Sequence, residues 1–279
     1  MKIQVHTWQL IRRILIYLLL VAVSVAVVFP MYYAVIISLA ADNDVSQYPP
    51  PLYPTSIQLE NFTRALTLAP LPRYLLNSIV QSSIVTISHL LLGSLAAYAF
   101  AFIPFRGKQV VFLVFLSTMM IPWEATIIPN YLTIGRLHWK DTFQGLAAPF
   151  LATAFGTFLL RQFFMSIPKD LQDAATIDGC GHLRFLTTIV MPLARPALGT
   201  LAVYSFLQTY NQYLWPLLVT NKAEMRTVQI GLALLQDVER YMWNVVMAGV
   251  VIILIPTFTL FIAGNRQLIR GLTAGAVKG

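Results

Sequence analysis

Charge is scarce in this chain. Charged side chains make up 11% of its 279 residues, against roughly a quarter in soluble domains. Acidic residues are the scarcest, eleven against nineteen Lys and Arg. The single cysteine, Cys180, excludes an intrachain disulfide and reads as a small residue beside a glycine turn. The four histidines are scattered, with no spacing that suits a metal. No Gly-x4-Gly-Lys-Ser/Thr phosphate loop occurs, so the chain does not hydrolyse ATP by that route. No catalytic cluster and no internal repeat is evident.

Apolar residues are abundant instead, at 57%. Runs of about 20 residues recur, each long enough to cross a hydrocarbon core about 30 Å thick. Lipid offers the backbone no hydrogen bonds, so such runs must be helices or a closed barrel. Barrel strands alternate apolar and polar residues, and these runs do not. The expected class is an all-α integral membrane protein, a single domain over 1–279. Its six spans are placed at about 14–37, 76–102, 110–128, 143–160, 193–218 and 245–263. Ser38 and Ala40 have the spacing of a signal-peptide cleavage site, but the apolar run before them exceeds the usual 7–15 residues, so a retained anchor is expected.

A formal charge of +8 suggests a nucleic-acid partner until its placement is considered. With the N-terminus in the cytoplasm, twelve of the nineteen basic residues fall inside, among them Arg12, Arg13, Arg106, Lys108, Arg161, Lys169 and Arg184. The positive-inside bias therefore favours both termini in the cytoplasm, beside membrane lipid and not nucleic acid. The long outer loop after the first span carries Pro49-Pro50-Pro51 and an Asn61-Phe62-Thr63 match to a glycosylation acceptor. That match is too short and common to carry weight.

A compact, partly polar loop at 161–192 separates two apolar segments. Pro168 suits the first turn of a helix, since its missing N–H has no partner there. Asp170 and Asp173 then lie near the positive end of the helix dipole. Leu171, Ala174, Ala175 and Asp178 fall at i, i+3, i+4 and i+7, on one face that a partner could approach closely. Gly179 is placed to end the helix in the left-handed conformation. A second helix is expected from about His182 to Val190, ended by Pro192. An ordinary amphipathic loop is the plainer reading of the same spacing.

Polar groups inside spans are expensive in lipid and so mark candidate routes. Asn77, Gln81 and His89 lie in the second span. Glu124 and Asn130 lie near the outer end of the third, flanked by Pro122 and Pro129. Gln208, Asn211, Gln212 and Trp215 lie in the fifth. Amides meet sugar hydroxyls and ring faces meet apolar C–H surfaces, but Asn and Gln also bind helices to one another. Glu124 reads equally as a gate or a headgroup-level acid, and His89 as an interhelical hydrogen bond. Trp123, Trp139 and Trp243 are expected at the outer interface.

The loop resembles a known one. Asp173-Ala174-Ala175, Gly179, Ile189 and Pro192 stand in the order and spacing of the EAA loop of permease subunits of bacterial ATP-binding-cassette importers. Asp173 replaces the usual Glu and Met191 the usual Leu. Asn77-Ser78, Ala96-Ala97-Tyr98, Asn211 to Pro216 and the tail from Arg270 to Gly279 extend the likeness to the maltose permease branch, the carbohydrate-uptake group of type I importers. Arg161-Gln162-Phe163-Phe164-Met165 looks most like glycerol-3-phosphate permeases of that branch.

The resemblance implies a multi-pass permease in a bacterial inner membrane, importing a sugar or a glycerol-3-phosphate-type solute. Asp173, Ala174, Ala175, Asp178 and Gly179, with Ile189 and Pro192, would form a coupling element seated on an ATPase subunit. Thr273, Gly275 and Lys278 in the tail would also reach the ATPases. The implied partners are a second permease in a heterodimer, two ATPase subunits holding ATP and Mg, and an extracytoplasmic solute-binding protein. No cofactor is implied for this chain itself. The competing expectation, an ion-coupled secondary transporter, calls for paired ionisable residues at midplane or inverted repeats, and neither is evident.

Overall fold

Apolar runs form helices here; some break at a proline, while others continue through one, as at Pro30 and Pro256. The computed structural model describes residues 2–49, 51–53, 56–238 and 242–273. Among these the chain is helical, with no strand. It divides into two compact units, Met1–Pro70 with Leu232–Leu254, and Leu71–Gly231 with Ile255–Gly279.

The first unit is built on α1 (Lys2–Leu39), followed by the short α2 (Asp42–Val45) and α3 (Glu60–Leu68). Apolar side chains of α1 such as Leu19, Val23 and Val27 are exposed, as suits a helix whose solvent is lipid. Its last turn buries Ile36, Ile37 and Ser38. The carbonyls at that end lack intrahelical partners. Asn61 Nδ2 donates to Ser38 O and Ala40 O, both at 3.0 Å, and Asn244 Nδ2 donates to Ala40 O and to Asp42 Oδ1. Asn61 is therefore 3% exposed, and the glycosylation match is closed off by this packing.

The second unit centres on α4 (Leu71–Phe102), against which α8 (Ala154–Phe164) and α12 (Arg195–Tyr210) pack. The buried stripe of α4 runs through Asn77, Ser78, Gln81, Ser82, Val85, Gly93, Ala97 and Tyr98, at helical spacing and mostly small or polar. Small residues let backbones approach closely where lipid supplies no hydrophobic drive for helix association. Gly93 faces the backbone of Gly156 on α8.

Three expected spans are not straight. The third is two helices, α5 (Lys108–Ser117) with a 3-10 turn Thr118–Met120, and α6 (Trp123–Arg136), meeting at 92°. Ile121 and Pro122 are both extended at the break, because proline excludes the helical conformation from the residue before it. The fourth pairs α7 (Phe143–Ala147) and a 3-10 turn Ala148–Phe150 with α8 at 51°. The fifth begins after a bend of 82° and is interrupted again at Asn211-Gln212-Tyr213, before α13 (Leu214–Val219).

Pro192 does not stop its helix. The chain runs from α10 (His182–Phe185) through a π turn at Leu186–Val190 into α11 (Met191–Leu193), and bends at Ala194. A wider turn upstream accommodates a proline that cannot donate. The bend falls where Pro196 takes the first turn of α12. Helices α14 (Val228–Val238) and α15 (Trp243–Thr273) complete the chain. Among the described residues three helices are long and apolar enough to cross a membrane alone, and up to six crossings result if each bent pair counts as one.

Candidate functional site

Two places in the second unit gather chemistry. The first is α9, Lys169–Ile177, with Pro168 at its start. Its end is a complete Schellman turn. Gly179 has φ +71°, Gly179 N donates to Thr176 O at 3.0 Å, and Cys180 N donates to Ala175 O at 2.8 Å. Cys180 packs beside the same core that Ala175 enters, which is the apolar contact this turn favours.

The face expected from spacing divides in two. Ala175 is buried among the side chains of the unit's core, a cluster that includes Tyr98, Phe164 and Phe185, and so serves internal packing. Residues 174 and 175 are about 100° apart around a helix, and Ala174 stays exposed with Asp173 and Asp178. Ile177 is 86% exposed, and Leu171 on the same helix is exposed too. Sequence spacing passed over Ile177, whose signal is an apolar side chain one residue before the C-cap of a polar helix. Ile189 is half-buried against the core, and Pro192 is exposed.

Behind α9, the Tyr98 hydroxyl and His182 Nδ1 are 2.9 Å apart, and the Tyr98 ring packs against Phe102 and Phe185. The helix that follows the glycine turn, α10 (His182–Phe185), is thus seated on the end of α4. Arg161 lies over the Phe112 ring at 4.1 Å and donates to Phe100 O, so one cation of this end is tied into the body.

The second place is a cavity of about 500 Å³ between α4, α12 and the broken segment before α8. Pro149 has no N–H, which leaves the carbonyl four residues back without its helical donor. That carbonyl, Gly145 O, accepts from Trp215 Nε1 at 3.1 Å. Leu146 O accepts from Gln81 Nε2 at 3.2 Å, Phe150 O from His89 Nε2 at 2.6 Å, and Leu151 O from Ser88 Oγ at 2.7 Å. Polar side chains of two spans thereby satisfy a backbone that lipid would leave bare.

Since a carbonyl can only accept, His89 Nε2 carries a proton, and Nδ1 meets Ser205 Oγ at 2.8 Å. His89 thus joins three segments, as the interhelical reading expects. Trp123 turns its ring toward the cavity. Its ring lies 4.6 Å from Phe150 and 5.7 Å from Trp215, forming an aromatic wall of the cavity.

The proposed route residues scatter accordingly. Gln208, Gln212 and Trp215 line the cavity. Gln81 borders it through a 3.0 Å bond to Gln212 Oε1. Asn77 is elsewhere: its Nδ2 donates to Glu224 O and Arg226 O, while Ser78 Oγ accepts from Val228 N, so the Asn77-Ser78 pair grips the approach to α14. Asn211 Oδ1 accepts from Gln229 Nε2 and faces outward. Glu124 is exposed in the first turn of α6, and Asn130 is half-buried on the same helix. Tyr204 and Ser205, which sequence reading passed over, join the wall. Thr273 is the last described residue, at the end of α15; Gly275 and Lys278 lie outside the described residues. Among the described residues no group of His, Cys, Asp and Glu is placed to hold a metal ion.

Comparison with known proteins agrees with this architecture. Residues 89–273 match the family described as binding-protein-dependent transport system inner membrane component. The sn-glycerol-3-phosphate transport system permease protein of Agrobacterium fabrum is 36% identical over 271 residues, covering 94% of this chain and 96% of its own. The trehalose/maltose transport system permease protein of Thermococcus litoralis is 34% identical over 276 residues, covering 97% and 99%. In the crystal structure of a bacterial ABC transporter involved in the import of the acidic polysaccharide alginate, one chain has the same fold. Its TM-score is 0.80 at 24% identity, over 92% of this chain and 96% of that one.

Proposed function

Because this chain belongs to the family of binding-protein-dependent transport system inner membrane components, we propose that it is the permease subunit of an importer driven by ATP hydrolysis on separate subunits. Its solute is of the sugar or glycerol-3-phosphate type, the two classes named for its relatives. The single observation that carries the coupling assignment is α9. It is an exposed helix with an apolar tip at Ile177, packed through Ala175 into the core that holds Tyr98, and followed by α10, whose His182 bonds to Tyr98 on the longest helix of the unit.

In this reading each bent pair counts as one crossing, and both termini lie in the cytoplasm. The solute-binding protein delivers its load from outside. Closure of an ATPase dimer displaces α9, and α4 carries the displacement toward the cavity. Tyr98 and Gln81 are 17 residues apart on that helix, about 26 Å along its axis. One rigid element thus reaches both sites, as alternating access requires. Since the chain offers one such helix and an ATPase dimer has two seats, a second permease completes a heterodimer. Thr273, Gly275 and Lys278 extend toward the ATPases. ATP and Mg belong to those partners.

The test is reconstitution of the whole assembly in proteoliposomes. ATP hydrolysis should rise when the loaded binding protein is added, and Ile177→Asp should abolish both hydrolysis and uptake. Uptake sustained by an ion gradient after nucleotide is exhausted would instead establish an ion-coupled carrier.

A further inference from the structure

We infer that the cavity selects an uncharged, polyhydroxylated solute, such as a mono- or disaccharide, over a phosphate ester. The inference rests on the importer reading and narrows it. The volume, about 500 Å³, falls within the range of about 300–1,000 Å³ usual for small-molecule sites. Among the described residues its lining carries no Asp, Glu, Lys or Arg. His89 is the nearest to a cationic group, and both its ring nitrogens are committed, to Phe150 O and Ser205 Oγ. Neither is free to meet an anion.

What the wall offers is a mixture of donors and acceptors. Gln208 donates through Nε2 to the Tyr204 hydroxyl, which leaves Gln208 Oε1 as an acceptor and the Tyr204 O–H as a donor. Gln212 accepts from Gln81 through Oε1, which leaves its NH₂ as a donor. A sugar hydroxyl both donates and accepts and fits such a set. A phosphate only accepts, and Gln208 Oε1 would repel it. The same lining holds Trp123, Phe150 and Trp215, with interplanar angles of 82° between the two indoles and 77° between Phe150 and Trp215. Rings set edge to face present apolar surface in two directions, which suits the C–H faces of a pyranose.

Charge magnitudes decide between the two classes. A phosphate monoester brings about −1.5 to −2 units. The start of α8, which borders the cavity at Thr153, supplies at most about half a positive unit. Most of the anion's charge would be left unmatched by this wall, and such a charge is expensive to bury.

The experiment uses the complete importer with its binding protein in proteoliposomes. Stimulation of ATP hydrolysis and uptake are measured with neutral mono- and disaccharides, including maltose and trehalose, and with sn-glycerol-3-phosphate and glucose 6-phosphate. A neutral sugar should be the stimulating and transported solute, and Gln208→Ala and Gln212→Ala should each raise its half-saturating concentration by about ten-fold, the loss of one hydrogen bond. The Gln208 variant guards against misfolding, since that side chain is exposed. Transport of a phosphate ester, or of a sugar with unchanged half-saturation in both variants, overturns the inference while the importer reading stands. Uptake that proceeds without nucleotide overturns both.

Discussion

The Tyr98 hydroxyl and the His182 imidazole are 2.9 Å apart, across 84 residues of sequence. Tyr98 lies near the end of α4, and His182 opens the helix that returns from the exposed loop. Under the importer proposal, a push on α9 would reach α4 through this hydrogen bond and through the core packing of Ala175, Phe102 and Phe185. Tyr98→Phe removes the hydrogen bond and keeps the ring. The expected loss is about 1 kcal/mol of coupling, read as a several-fold fall in solute-stimulated ATP hydrolysis with subunit assembly intact. An unchanged stimulation ratio would confine the bond to packing.

Gly179 separates backbone strain from crowding. Its φ is +71°, and a Cβ there would meet nothing within 4 Å. Gly179→Val costs about 1–2 kcal/mol through the left-handed conformation alone, loosening the Schellman turn, and should reduce uptake while leaving membrane insertion intact. Gly179→Asn, which tolerates that conformation, should retain most uptake if the turn geometry is what matters. If Asn fails as Val does, the open space around Gly179 is occupied by a partner in the assembly.

Gly156 presents the opposite case. A Cβ there would lie 2.8 Å from Thr153 Cγ2 and 3.1 Å from Leu201 Cδ1. Gly156→Val should force α8 from its seat against α4 and α12, costing about 1–3 kcal/mol as overpacking. A lower melting temperature of the detergent-solubilised complex is the readout.

Trp215→Phe keeps an aromatic ring in the cavity wall and deletes the donor to Gly145 O. The orphaned buried carbonyl should cost about 1–3 kcal/mol. Because α7 has no other claim on that carbonyl once Pro149 has removed the helical donor, lowered thermal stability should accompany any change in solute affinity.

Helix α9 and its glycine stop are legible because proline, aspartate and glycine punctuate a short polar stretch, and local rules govern it. The broken spans are legible only in part: the prolines of the third and fifth mark candidate kinks, but not the size of the break. Hydropathy scores Val110 to Ile128 as one run, while the turn at Ile121-Pro122 is settled by one residue's excluded conformation. Equally hidden is the difference between Asn77 and Gln212. Both are amides in apolar segments, but Asn77 finds Glu224 O and Gln212 finds a cavity, and only the tertiary fold chooses the partner. The split of Ala174 from Ala175 follows from the core that receives Ala175, which no local pattern contains. His89 is a different matter, since a lone histidine in a span already reads as an interhelical bond.

The most direct measurement places a single thiol at Ile177, as Ile177→Cys in a Cys180→Ser background of the assembled importer. In intact cells a membrane-impermeant maleimide should leave it unlabelled. In inside-out vesicles a bifunctional thiol–amine reagent should cross-link it to a nucleotide-hydrolysing subunit, with a yield that changes when ATP is added. Labelling from the outside, or vesicles in which no such subunit is captured while uptake continues, would contradict the account.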